Sequence, residues 1–183
     1  MLERSGFDLR QIDGRSMIRL RVRPQNADAA VGALQLPQEP LQWRDGDPAA
    51  YWLGPDQWLL TSDTESANDI LRQVDSAMSG QIYAATDTSS GSACFAFSGP
   101  AARTVLAMGC GIDMYSSEFP PGRCVRTHFA NVLLFIVAVD DNRFDLYVDR
   151  SYARYLADWF SSAGQDPMTH APNNHESASS ELI

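Results

Sequence analysis

Residues 92–160 set the tightest limit on what this chain can fold into. They read as a strand over 93–97, a stop at Ser98-Gly-Pro100, a short helix over 101–108, and a Phe119-Pro-Pro-Gly122 loop. Strands over 124–129, 132–139 and 144–148 follow, then a closing helix over 152–160. Ser98 has the chemistry of a helix cap and Pro100 of a first helical residue, while Gly109 suits the helix end. Asn131 and Asp140-Asp-Asn-Arg143 supply the turns. The closing helix places Tyr152, Tyr155, Leu156, Trp159 and Phe160 largely on one face.

The first half repeats this order of elements without repeating its sequence. In Met17-Ile-Arg-Leu-Arg-Val-Arg23, strict alternation puts Ile18, Leu20 and Val22 on one side and Arg19, Arg21 and Arg23 on the other, the pattern of a half-buried strand. The arginine row is either a solvated face or an electropositive contact surface for an acidic partner. Asn26 caps an expected helix over 26–34, which Pro37 and Pro40 end. Gly54-Pro-Asp-Gln57 suits a type I turn joining strands over 51–53 and 58–61. Apolar residues from Ala67 to Met78 have helical spacing, and Gly80 lies beyond them; a strand over 81–86 leads into Asp87-Thr-Ser-Ser-Gly-Ser92. Hairpins with helices set apart from them predict an α+β fold, two similar βαββα-type halves with largely antiparallel sheets. The expected division is a flexible arm over 1–15, α+β subdomains over 16–88 and 89–163, and a disordered tail over 164–183.

Composition excludes more than it proposes. An apolar share of 44% is enough for a packed core, and no run is long enough to span a membrane. A net charge of −9 opposes nucleic-acid binding. All 14 basic residues are arginine, so there is no lysine for a Schiff base or a P-loop. Three cysteines without metal-ligand spacing, and no signal segment, suit a reduced cytoplasmic protein.

The catalytic inventory is thin. His128 shares strand parity with Cys124 and Arg126, and no Gly-x-Ser-x-Gly elbow accompanies it. His170 and His175 lie in the polar tail. Cys94 reads as a small core residue; Cys110, at a helix C-terminus in Met108-Gly-Cys-Gly111, lacks the positive surroundings of a thiolate, and the side faced by Cys124 is open. Asp45 with Asp47, and Asp140, Asp141 with Asp145, read as turn residues. Gly99-Pro100 is not a dinucleotide fingerprint. No catalytic, cofactor-binding or metal residue is therefore expected. Trp43, Trp52 and Tyr115 are candidate anchors for a partner, with Trp52 equally suited to the core.

Several runs stand out together: Leu53-Gly-Pro-Asp-Gln-Trp-Leu-Leu60, Asp87-Thr-Ser89, Ser98-Gly-Pro-Ala-Ala-Arg103, Val105-Leu106 and Gly109-Cys-Gly-Ile-Asp-Met114. Phe119-Pro-Pro-Gly-Arg-Cys124, Phe144-Asp-Leu-Tyr-Val148 and Arg150-Ser-Tyr-Ala-Arg-Tyr-Leu-Ala-Asp-Trp159 continue the series. In this order, over about residues 15–162, they resemble the γ subunit family of heterotetrameric sarcosine oxidase. That family is similar in fold to the tetrahydrofolate-binding aminomethyltransferase of glycine cleavage. The resemblance implies a non-catalytic subunit of a complex that oxidatively demethylates sarcosine to glycine, with tetrahydrofolate as one-carbon acceptor. FAD, FMN, NAD and tetrahydrofolate would sit on partner subunits, with the α subunit as main contact beside β and δ. The Lys-Gly-Cys-Tyr-x-Gly-Gln run of a related folate-dependent family is absent, so no folate contact carries over. A stand-alone folate or one-carbon-binding module is the alternative reading. A third, an enzyme using His128 with a carboxylate, rests on those residue types alone.

Overall fold

Two runs of the same seven elements build the computed structural model, which describes residues 6–164. The first run is β1 (Asp8–Ile12), β2 (Ser16–Val22), α1 (Ala27–Leu34), β3 (Trp43–Arg44), β4 (Ala49–Gly54), β5 (Gln57–Ser62) and α2 (Ala67–Ala77). The second is β6 (Tyr83–Asp87), β7 (Ser92–Ser98), α3 (Ala102–Gly109), β8 (Cys124–Phe129), β9 (Val132–Asp140), β10 (Arg143–Asp149) and α4 (Ala153–Ala163). They form two five-stranded sheets, β1-β7-β10-β9-β8 and β3-β4-β5-β2-β6, with every strand pair antiparallel. The α+β architecture expected from the hairpins is the one found.

The leading strands are exchanged. β1 pairs with β7 of the second run, and β6 pairs with β2 of the first. Residues 8–12 are thus an edge strand, which corrects the expectation of a flexible arm across 1–15. Their stability is tertiary: Leu9 packs on the core beside Phe97, its register partner, and the Phe7 ring lies 5.3 Å from that of Phe97. An isolated five-residue segment with so brief an alternation carries little sequence signal.

Alternation on the strands divides the apolar residues among three cores. Ile18, Leu20, Val22 and Trp58 pack with Ile70 and Val74 of α2. Phe95, Phe97, Ile136, Phe144 and Leu146 pack with Val105 and Leu106 of α3 and with Leu156 and Phe160 of α4. Between the sheets lie Met17, Tyr51, Leu59, Cys94, Cys124, Phe135, Val137 and Tyr147. The order of layers is helix, sheet, sheet, helix, with each fully buried Leu or Phe contributing about 1.5–3 kcal/mol. At one side the sheets are tied by an antiparallel bridge between Gln42 and Arg123.

Helix ends differ from the sequence reading in detail. Ser66 caps α2 through the Asp69 amide. Asn26 makes no side-chain cap on α1, which follows a short 3-10 turn at Pro24–Asn26. Ser98 remains the last residue of β7, and Gly99 and Pro100 form the turn before α3. On α4, Leu156, Phe160 and Ala163 are buried, whereas Tyr152 and Tyr155 are exposed, so the inward face is narrower than expected. No helix among the described residues is long and apolar enough to cross a membrane.

Candidate functional site

The residue types that could carry chemistry are scattered. His128 is exposed on the edge strand β8, and no hydrogen bond joins its ring to a carboxylate among the described residues. Cys94 is fully buried between the sheets, and burial pushes its thiol up to about 12. Cys124 proves to face the same inter-sheet core, and burial raises it likewise to about 12; its Sγ lies 3.2 Å from the Gln42 carbonyl oxygen. Burial also raises Cys110, whose Sγ approaches the Leu106 carbonyl at 3.3 Å. All three are thiols, not nucleophilic thiolates, near neutral pH. No cluster of three or more metal-ligating side chains occurs among the described residues, and His170 and His175 lie outside them.

A largely buried arginine, with no local signal in the sequence, organises a polar cluster between the sheets. Arg15, in the loop between β1 and β2, donates to both oxygens of Asp63 at 2.7 and 2.8 Å. Its Nη1 also donates to Asp145 at 2.5 Å and to the Tyr147 hydroxyl at 2.8 Å. The Tyr147 hydroxyl in turn reaches that of Tyr51 at 3.3 Å, and Thr61 donates to Tyr51 at 3.4 Å. Burial opposes the Arg15 charge, but its hydrogen bonds to Asp63 and Asp145 hold the guanidinium above its ordinary range. Burial raises both Tyr51 and Tyr147, so neither is a base.

Asp145 reads in sequence with the turn at 140–141, and the structure separates them. Asp140 accepts from the Asp141 amide as a turn residue should, whereas Asp145 is buried on the inter-sheet side of β10. Strand parity explains the difference: Phe144, Leu146 and Val148 face the helices, so Asp145 and Tyr147 face the other sheet. Beside the cluster is a cleft of about 290 Å³ whose lining includes Asp45, Asp47, Asp63 and Asp145. These carboxylates are already engaged: Asp45 by the Gly46 amide, Asp47 by the Thr64 hydroxyl, and Asp63 and Asp145 by Arg15. The arrangement ties the β1–β2 loop to both sheets and leaves no paired acid and base.

The runs that carry the family resemblance also act as scaffold. Arg103 of α3 donates from Nε to the Asp141 carbonyl at 2.7 Å, and from Nη1 to the Met114 and Phe119 carbonyls at 2.7 and 3.0 Å. Its guanidinium carbon stands 5.2 Å from the Phe144 ring centroid, so one side chain pins the 110–122 loop and the β9–β10 turn to the core. Gly99 has φ +130, and a Cβ there would lie 2.5 Å from the Gly6 carbonyl oxygen and 2.7 Å from the Phe7 Cα. Only glycine permits that crossing of the chain. Of the three aromatic anchors, Trp43 and Trp52 are half-buried, with Trp43 Nε1 donating to Ala138 at 3.0 Å, and Tyr115 is 78% exposed.

Comparison with known proteins adds the family. The chain is 26% identical over 115 residues to sarcosine oxidase subunit gamma of Corynebacterium sp. (strain U-96), an alignment covering 63% of this chain and 55% of that protein. It therefore spans about half the length of that curated relative. The solved heterotetrameric sarcosine oxidase from Corynebacterium sp. U-96, in complex with pyrrole 2-carboxylate, has a chain that superposes with a TM-score of 0.78. That match has 24% identity and covers 86% of this chain and 83% of the other. Aminomethyltransferase T of the glycine cleavage system from Bartonella henselae gives a TM-score of 0.63 at 16% identity, over 86% of this chain and 46% of that one. Both solved structures share the fold described above. The sarcosine oxidase, gamma subunit family model matches residues 23–166, most of the chain, and the protein belongs to that family.

Proposed function

We propose that this chain is a non-catalytic accessory subunit of a cytoplasmic sarcosine-oxidase-type complex. The complex oxidatively demethylates sarcosine to glycine and passes the carbon to tetrahydrofolate. FAD, FMN, NAD and tetrahydrofolate belong to partner subunits, the α subunit is the main contact, and β and δ complete the assembly. The observation that carries this reading is the family match over 23–166. Further support comes from the matching motifs and from the cysteines. Gly99, Arg103 and Cys124 are occupied in holding the chain together, and Cys94, Cys110 and Cys124 are protonated through burial.

Co-expression with α, β and δ subunits tests the assignment. The expected result is one assembly by size-exclusion chromatography, with all flavin absorbance lost from this chain when it is purified alone. An isolated chain that binds tetrahydrofolate saturably at micromolar concentration in a calorimeter overturns the reading in favour of a folate-binding module. A chain that elutes apart from its co-expressed partners overturns it outright.

A further inference from the structure

The arginine row of β2 is solvent-exposed, with Arg21 reaching Asp56, but Arg19 also borders the second sheet. Ile18, Leu20 and Val22 occupy the helix-facing core, so Met17 and Arg19 face the second sheet. On the edge strand β8 the same side carries Cys124 and then Arg126. Met17 and Cys124 are buried between the sheets, while Arg19 and Arg126, two residues further along their strands, are exposed. Both arginines line a cleft of about 90 Å³ walled by Leu53, Leu59, Leu133 and Phe135, with no Asp or Glu among its lining residues. Neither guanidinium has a hydrogen-bond or ion-pair partner among the described residues. Burial, and then the charge of Arg19, push the Arg126 guanidinium below its ordinary range. Two like charges set against each other in a chain of net charge −9 are unfavourable unless something else neutralises them.

We propose that this cleft receives a carboxylate side chain of a partner subunit, clasped between Arg19 and Arg126. Size selects this occupant. A single water needs about 10–15 Å³ of such space, so about 90 Å³ has room for a carboxylate and its adjoining methylenes. Cofactor and drug-sized ligands need pockets of about 300–1,000 Å³. The leucine and phenylalanine walls suit the aliphatic stem, and guanidinium forks suit the carboxylate. Leu133, 42% exposed on β9 at the mouth, extends the contact with apolar surface. The inference rests on the accessory-subunit reading and assigns it a contact.

The test measures binding of purified chain to the complex lacking it, in the wild type and in the double variant R19Q/R126Q. The double variant should bind about 50-fold more weakly or worse, and its affinity should depend less on salt. The variant R72Q/R154Q removes the same charge from α2 and α4, where both arginines are highly exposed, and should bind within about threefold of wild type. Isolated R19Q/R126Q should melt no lower than wild type, because a repulsion has been removed. Binding by R19Q/R126Q within about threefold of wild type overturns the proposal while leaving the accessory reading intact. A lowered melting temperature overturns it too, since the arginines would then serve the fold. So does a rise in wild-type melting temperature with millimolar acetate or phosphate that the double variant lacks, which would make the cleft a small-anion site. Failure of the wild type to assemble removes both readings together.

Discussion

Arg15 bonds to acceptors 48, 130 and 132 positions away in the chain, one just past β5 and two on β10. Its two carboxylate partners differ in surroundings: the Asp145 side chain is 12% exposed and that of Asp63 is 57% exposed. Breaking the buried contact leaves a charge short of its partner, so Asp145→Asn should lower unfolding free energy by about 2–3 kcal/mol in urea titration, the lower end for a buried pair because Asp63 remains. Asp63→Asn should cost far less at neutral pH, since water screens that pair. Arg15 holds the Asp63 carboxyl below its ordinary range. The stability this contributes is fully present above about pH 4 and is lost as pH falls through the lowered value. The melting temperatures of wild type and Asp63→Asn should therefore converge in acid. None of this was legible in the sequence, where Arg15 stood in an apparent arm and Asp145 beside a turn. Its partners are brought together only by the packing of two sheets.

Elements whose signal is local were legible. The alternation at 17–23, the hairpin around Pro55 and Asp56, and the helical spacing from 67 to 78 are each fixed by neighbours within a few residues. β1 escaped because its partner lies in the other run. Gly99 makes that partnership possible by letting Gly6 and Phe7 pass close, and the Ala101 amide donates to the Gly6 carbonyl at 2.9 Å. Gly99→Ala meets backbone, not a yielding side chain, in a conformation other residues avoid. It should reduce stability by about 2–4 kcal/mol. Amide hydrogen exchange should speed first across residues 8–12, and unchanged protection there would refute the role given to this glycine. The arginine row shows the other limit of local signals. Its alternation and its exposure were plain, but that Arg19 would stand beside Arg126 depended on where the second sheet lay.

At the scale of the molecule, the inter-sheet core draws Met17, Tyr51 and Leu59 from the first run and Cys94, Phe135 and Tyr147 from the second. With the leading strands exchanged as well, neither run completes a sheet alone. Calorimetry should therefore record one transition whose calorimetric and van't Hoff enthalpies agree. Two resolved transitions would mean that the runs unfold independently.

The exchange also imposes an order on the chain's birth. Asp8 must wait for Ser98, ninety residues later, before β1 has a partner. At about 5–20 residues per second, a ribosome takes roughly 5–18 s to supply it. β1 thus stays unpaired while all five strands of the other sheet, β2 to β6, are made. Throughout that interval its unpaired backbone edge and Phe7 are open to a chaperone or to another nascent chain.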